Sequence, residues 1–267
     1  MPPMRVLITG CSTGIGRATA IELTKRGHDV IATARKPASI ADLGVAQALA
    51  LDVDDDSSVA DAVAAAGDVD VLINNAGFEI SGPGELMPIA EVRAMFETNF
   101  FGTLRMMQAV IPQMRERNRG VIVNVSSLAG RVSQPYGHFY SATKHAVEAL
   151  TEGFLYELKH YGIRLHLIEP GVIDTAFRGN IRHHGKDHPA YAGLTAQWEG
   201  ATDKLRGDNP KPGPELVAGV IADVVEDDDA VLRHPVGDDA AMVIATRESM
   251  SFEEFETTMR GVLSLDW

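Results

Sequence analysis

This 267-residue chain predicts an α/β fold, doubly wound around one seven-stranded parallel sheet with helices on both faces. Two observations carry that expectation. Short β-branched runs recur at RVLIT, DVIATAR, QALALDV, DVLINNAG, VIVNVSS, IRLHLIEP and AVLRHPV. Sequence of helical period separates most of them, and strands alternating with helices build a parallel sheet covered on both sides. Apolar residues make up 45% of the chain, enough for one continuous core, so a single domain over residues 1–267 is expected.

Taken in order, RVLIT leads through a glycine turn into a first helix. The alanine-rich residues 57–66 read as a second, with Asp54, Asp55 and Asp56 supplying capping and first-turn carboxylates. Residues 89–96, 102–116, 140–161 and 215–225 carry further helical segments. Residues 176–214 break the alternation: charge, Gly, Pro and a lone Trp198 follow without a clean period, which in a compact domain marks a lid or a disordered connection. The tail, about 251–265, reads as a final helix that buries Phe252, Phe255, Met259 and the terminal Trp267.

Composition excludes several functions. A net charge of -13 opposes a nucleic-acid backbone or an anionic membrane, and no basic run offsets it. The single cysteine, Cys11, cannot form an internal disulfide, which fits a reducing compartment. The apolar run in MPPMRVLITG is too short for a signal-peptide core, and no stretch approaches the ~20 residues that span a bilayer. The expectation is a soluble, cytoplasmic protein.

Tyr140 and Lys144 carry the first chemical signal. Four residues apart in a helix, they place a phenol and an ammonium on one face. Bringing a tyrosine from its ordinary pKa near 10 to neutrality takes ~4 kcal/mol. A cation about 4 Å away at an effective dielectric of ~20 supplies a term of that size. The spacing thus predicts that Lys144 activates Tyr140 for proton transfer, although Y-x-x-x-K also arises by chance on exposed helix faces.

Gly10, Gly14 and Gly16 supply the second signal. They sit where a strand turns into a helix, with Ser12, Thr13 and Ile15 between them, and suit a pyrophosphate at a helix N-terminus. Past the next strand, Ala34, Arg35 and Lys36 stand where an acid would bind the NAD ribose, and two cations suit the 2'-phosphate of NADP instead. NADP is therefore favoured over NAD. Residues 10–14 also match G-x-S-x-G, which would make Ser12 a hydrolase nucleophile, but too few strands precede it.

Together these residues resemble the short-chain dehydrogenase/reductase family in its one-domain branch, close to hydroxysteroid- and retinol-dehydrogenase-like members. The motifs are T-G-x-x-x-G-I-G at residues 9–16, Asp52 and Val53, N-N-A-G at 74–77, Asn99, Ser127 thirteen residues before Tyr140, and P-G-V-I-D-T at 170–175. The resemblance implies a Rossmann fold and a catalytic set of Asn99, Ser127, Tyr140 and Lys144, with Asn99 in a water-mediated proton relay. It also implies that Asp52 and Val53 flank the adenine, that Asn75, Ala76 and Gly77 line the cofactor ribose, and that Ile173 and Thr175 hold the nicotinamide. Ser126 is the nearest rival to Ser127.

The expected activity is NADP(H)-dependent interconversion of an alcohol and a carbonyl, on a bulky apolar small molecule. A catalytically silent nucleotide-binding regulator and a 3-oxoacyl-thioester reductase are the alternatives. Glu79, Ile80, Leu128, Pro135, Tyr136 and Phe177 are candidate pocket residues, and His138 a possible neighbour. His183, His184 and His188 invite a metal, but Gly185 and Pro189 interrupt any helix that would align them; no metal is expected. Similar proteins often pair through the helices at 102–116 and 140–161, which implies a homodimer or homotetramer.

Overall fold

The computed structural model describes residues 2–206 and 210–266. Its strands are β1 (Arg5–Ile8), β2 (Asp29–Ala34), β3 (Gln47–Ala50), β4 (Val71–Asn74), β5 (Ile80–Ser81), β6 (Gly120–Val125), β7 (Ile163–Pro170), β8 (Arg182–His183) and β9 (Arg233–Val236). Seven of them form one sheet in the order 3-2-1-4-6-7-9, every neighbour parallel. The remaining two, β5 and β8, pair in parallel as a separate ribbon. The strand order reverses between β1 and β4, and at such a point the connecting loops part to leave a crevice.

The helices are α1 (Gly14–Lys25), α2 (Asp56–Ala66), α3 (Ile89–Phe96), α4 (Thr103–Arg117), α5 (His138–Leu158), α6 (Ala176–Gly179), α7 (Ala192–Trp198), α8 (Pro214–Glu226), α9 (Asp238–Glu248) and α10 (Phe252–Leu263). Side chains alternate across each strand, so the sheet feeds two cores. Val6, Ile8, Val71 and Ile73 pack beneath α1 and α8, through Leu23, Val217 and Ile221. Leu7, Leu72, Ile122 and Leu165 face the other way, against Met106, Val110 and Met114 of α4.

Several expected boundaries move for physical reasons. The helix expected at 102–116 begins at Thr103, and a π-helical turn, Glu97–Gly102, joins it directly to α3. The helix expected from Tyr140 starts at His138 and passes into a 3-10 turn, Lys159–Tyr161, that Gly162 ends with a left-handed φ of 65°. Helix α9 carries no expectation from sequence, since its short span shows only Ala240, Val243 and Ile244 as buried apolar positions.

The aperiodic residues 176–214 contain α6, β8 and α7, each too short to register a hydrophobic repeat. In the tail, Phe255 is buried and Met259 packs on a small apolar cluster, but Phe252 is 60% exposed, lying against Arg247. Trp267 and residues 207–209 lie outside the described residues. No helix among the described residues is long and apolar enough to cross a membrane.

Helix α10 starts from a capping box. Ser251 Oγ accepts from the Glu254 amide at 3.3 Å, and Glu254 Oε2 accepts from the Ser251 amide at 2.9 Å. Ser251→Ala should cost about 1 kcal/mol of helix stability. Faster amide hydrogen exchange across the first turns of α10, with the central sheet unchanged, is the expected reading.

Candidate active site

Above the carboxyl ends of the sheet strands lies a cavity of about 1180 Å³. Its floor is the turn between β1 and α1. Gly10 adopts φ +75° and Gly14 φ +59°, both unfavourable for residues with a Cβ. A Cβ on Gly10 would stand 2.9 Å from Ala76 Cα, and one on Gly16 would collide with the Asn75 side chain and the Gly10 carbonyl. Gly10, Ser12, Thr13, Gly14 and Ile15 face the cavity. Gly16 does not; it is buried and allows α1 to approach Asn75, a packing role rather than the contact expected of it.

Asn75 ties two loops together. Its Nδ2 donates to the carbonyls of Thr9 at 2.9 Å and Gly10 at 3.1 Å, while Thr9 Oγ1 accepts from the amides of Asn75 and Ala76. Ala76, Gly77, Asp52, Val53, Ile173 and Thr175 also face the cavity. Arg35 lines it too, with an exposed side chain that has no ion-pair or hydrogen-bond partner among the described residues. These donors, glycines and the free cation fit a nicotinamide dinucleotide.

Ser127, Tyr140 and Lys144 line the same cavity. Ser126 lines it as well, but a Cβ on Gly130 would sit 2.6 Å from Ser126 Oγ, so that hydroxyl points towards Gly130. Asn99 is not on the cavity wall. It is 1% exposed, and its amide exchanges bonds with the Phe78 backbone, 2.9 and 3.0 Å, and donates to Thr143 Oγ1 at 3.0 Å. Its carbonyl accepts from Thr103 Oγ1 at 3.0 Å, so every observed bond of Asn99 serves the local framework.

The electrostatics differ from what helical spacing implies. Burial pushes the Tyr140 phenol above its ordinary range, Glu79 adds to the rise, and a hydrogen bond with Ser127 works against it. Lys144 Nζ donates to the Val125 carbonyl at 2.8 Å and lies 5.6 Å from the centre of the Tyr140 ring. Burial pulls Lys144 down to about 8, opposed by Glu148. Desolvation therefore outweighs the Ser127 hydrogen bond at Tyr140.

Among the expected pocket residues, Glu79, Leu128, Pro135, Tyr136 and Phe177 line the cavity. Ile80 does not, because alternation along β5 turns it into the core, fully buried beside Met95. His138 stacks on Phe139 with ring centres 4.3 Å apart, away from the cavity wall. His183 and His184 border the cavity, with His184 3.6 Å from Glu91, while His188 Nδ1 accepts from the Ala190 amide. No group of three or more metal-ligating side chains occurs among the described residues. Thr9, Thr143 and the Val125 carbonyl also build the site; Thr9 heads the glycine motif, whereas no local pattern marks Thr143 or Val125.

Fold and crevice together define a nicotinamide-dependent oxidoreductase. The family model described as short chain dehydrogenase matches residues 4–186, and the chain belongs to the short-chain dehydrogenase/reductase family. It is 43% identical over 184 residues to the 3-ketodihydrosphingosine reductase of Bacteroides thetaiotaomicron, covering 67% of this chain and 68% of that one. A short-chain dehydrogenase from Streptomyces avermitilis superposes with a TM-score of 0.85 at 32% identity, covering 100% of both chains. One from Burkholderia cenocepacia in complex with NADP gives 0.78 at 27% identity, over 96% of this chain and 97% of that one.

Glu79 makes the site's ionisation measurable. Burial pushes its carboxyl from 4.5 up to about 7, with Arg178 opposing. The native protein then holds a proton that the unfolded chain has lost between those values, so this residue's contribution to stability falls as pH rises through the window. Relative to wild type, Glu79→Gln should gain stability from pH ~4.5 to above pH ~7, by up to about 3 kcal/mol. Urea unfolding of both proteins across that range checks this; a difference independent of pH would show a carboxyl with ordinary acidity.

Proposed function

We propose that the protein is an NADP(H)-dependent oxidoreductase that interconverts a bulky apolar alcohol and its ketone or aldehyde, with Tyr140 as general acid and base. The observation that carries this reading is one cavity holding both the glycine turn and the group Ser127, Tyr140 and Lys144. The lining beyond Tyr140 includes an apolar stretch of Phe78, Leu128, Val132, Phe177, Phe255 and Met259 among polar side chains such as Glu79, Arg178 and His184. The apolar stretch supports a substrate with a hydrocarbon portion. Residues 176–206 act as its lid, with α10 closing the far side.

Gly10 and residues 12–15 hold the pyrophosphate with backbone N–H groups at the start of α1. Arg35 pairs with the 2'-phosphate, Asp52 and Val53 flank the adenine, and Asn75, Ala76 and Gly77 line the ribose. Ile173 and Thr175 meet the carboxamide end. When bound, the nicotinamide supplies or accepts the hydride.

In reduction, Tyr140 gives its proton to the substrate oxygen while Ser127 donates a hydrogen bond to the same atom. The buried, protonated phenol is the form that this direction consumes. Lys144 bonds the ribose hydroxyls and brings its charge to the phenolate left behind. Asn99 acts by position, holding Phe78 and Thr143 in place.

Tyr140→Phe should lower turnover by about 10²–10⁴-fold or more while NADPH affinity stays within roughly twofold. NADPH consumption over a panel of ketones, aldehydes, quinones and steroids, paired with fluorescence titration of the cofactor, measures both; near-normal turnover refutes the role. Arg35→Asp should weaken NADP(H) by about tenfold to a hundredfold and leave NAD(H) little changed. Parallel loss with both cofactors would remove Arg35 from phosphate recognition.

A further inference from the structure

Glu79 has no part in the proton transfer described above, yet it stands on the wall of the reaction cavity beside Tyr140. It is only 9% exposed. Among the described residues it has no hydrogen-bond partner and no ion pair; Arg178 of α6 acts on it through space without closing a salt bridge. A carboxylate withdrawn from water without a donor is costly, and the fold draws nothing from it in return.

Its placement is enforced on both sides. Phe78, the residue before it, is locked to Asn99 through both backbone groups. Ile80, the residue after it, is fully buried, paired with Arg182 in the β5–β8 ribbon and bonded through its amide to Met95 Sδ. With Ile80 committed to the core, Glu79 and Ser81 fall on the cavity side. The result is a carboxyl group preorganised on the cavity wall without a protein donor, the arrangement that rewards a cationic ligand able to draw it into its ionised form.

We propose that Glu79 selects substrates carrying a protonated amine next to the reacting carbon, so that the enzyme acts on amino alcohols or amino ketones with an apolar remainder. The proposal rests on the alcohol–carbonyl reading above. A neutral hydroxyl would offer one hydrogen bond and no charge, whereas an ammonium supplies both a donor and the counter-charge that favours the ionised carboxylate. The net charge of -13 also draws cations rather than anions towards the protein.

The test uses the full-length protein with NADP and two long-chain secondary alcohols, one bearing an amine on the carbon beside the carbinol and its counterpart with methyl in that place. Oxidation is followed by NADPH formation, and calorimetric titration of both alcohols into the NADP-loaded protein reads binding separately from turnover. Wild type should favour the amine by about tenfold or more in kcat/KM or in affinity, and Glu79→Gln should erase that ratio. Glu79→Leu, which removes the polar head altogether, should do the same. An amine-to-methyl ratio near one in wild type, or one unchanged in both variants, overturns the Glu79 proposal. Turnover of the methyl alcohol in that case leaves the alcohol–carbonyl reading standing, and binding of either alcohol without any turnover counts against that reading instead.

Discussion

The close approach of two loops at the point where strand order reverses is the constraint on which the site depends. Asn75, after β4, reaches across to the Thr9 and Gly10 carbonyls, and the Thr9 hydroxyl receives two amides in return. That contact exists only because Gly10 and Gly16 present no Cβ to obstruct it. The glycines are thus required first by the protein's own packing. The same bare backbone then becomes the surface on which a phosphate can rest.

Burial governs the chemistry on the opposite wall. Tyr140 and Lys144 are each held in their neutral forms more firmly than they would be in water, while Glu79 is held protonated to a higher pH than usual. Burial is the first cause of all three shifts, and Glu79 adds directly to the rise at Tyr140. The Lys144 bond to the Val125 carbonyl aims the amine from a fixed point on β6, so its position does not depend on the titration state of the phenol.

Much of this was legible in the amino-acid order. Six of the seven sheet strands carry β-branched residues that stand out between helical segments, β3 with QALA being the exception, and the shared face of Tyr140 and Lys144 follows from a spacing of one helical turn. What was hidden depends on contacts between distant segments. Asn99 meets Phe78 at 21 residues' separation and Thr143 at 44, so no local pattern could show that its amide was already engaged. Ile80 looked like a pocket residue until the pairing of β5 with β8 fixed which side of the backbone it occupies. The sign of the Tyr140 shift was likewise unreadable, since it turns on how deeply the ring is enclosed.

The ribbon of β5 and β8 also divides the segment that follows β7. Ile80 and Ser81 pair with Arg182 and His183, and the Ser81 carbonyl takes the His184 amide at 2.9 Å. The covering chain is stitched down early in its course, and Gly185 with its φ of +61° follows immediately beyond the stitch. The two halves meet the wall at different points: α6 sets Phe177 against Tyr140, ring centres 5.9 Å apart, while Thr195 of α7 lies 3.1 Å from the Tyr136 hydroxyl. The cover is thus anchored separately on each side of the ribbon, next to the reacting phenol on one side and to Tyr136 on the other.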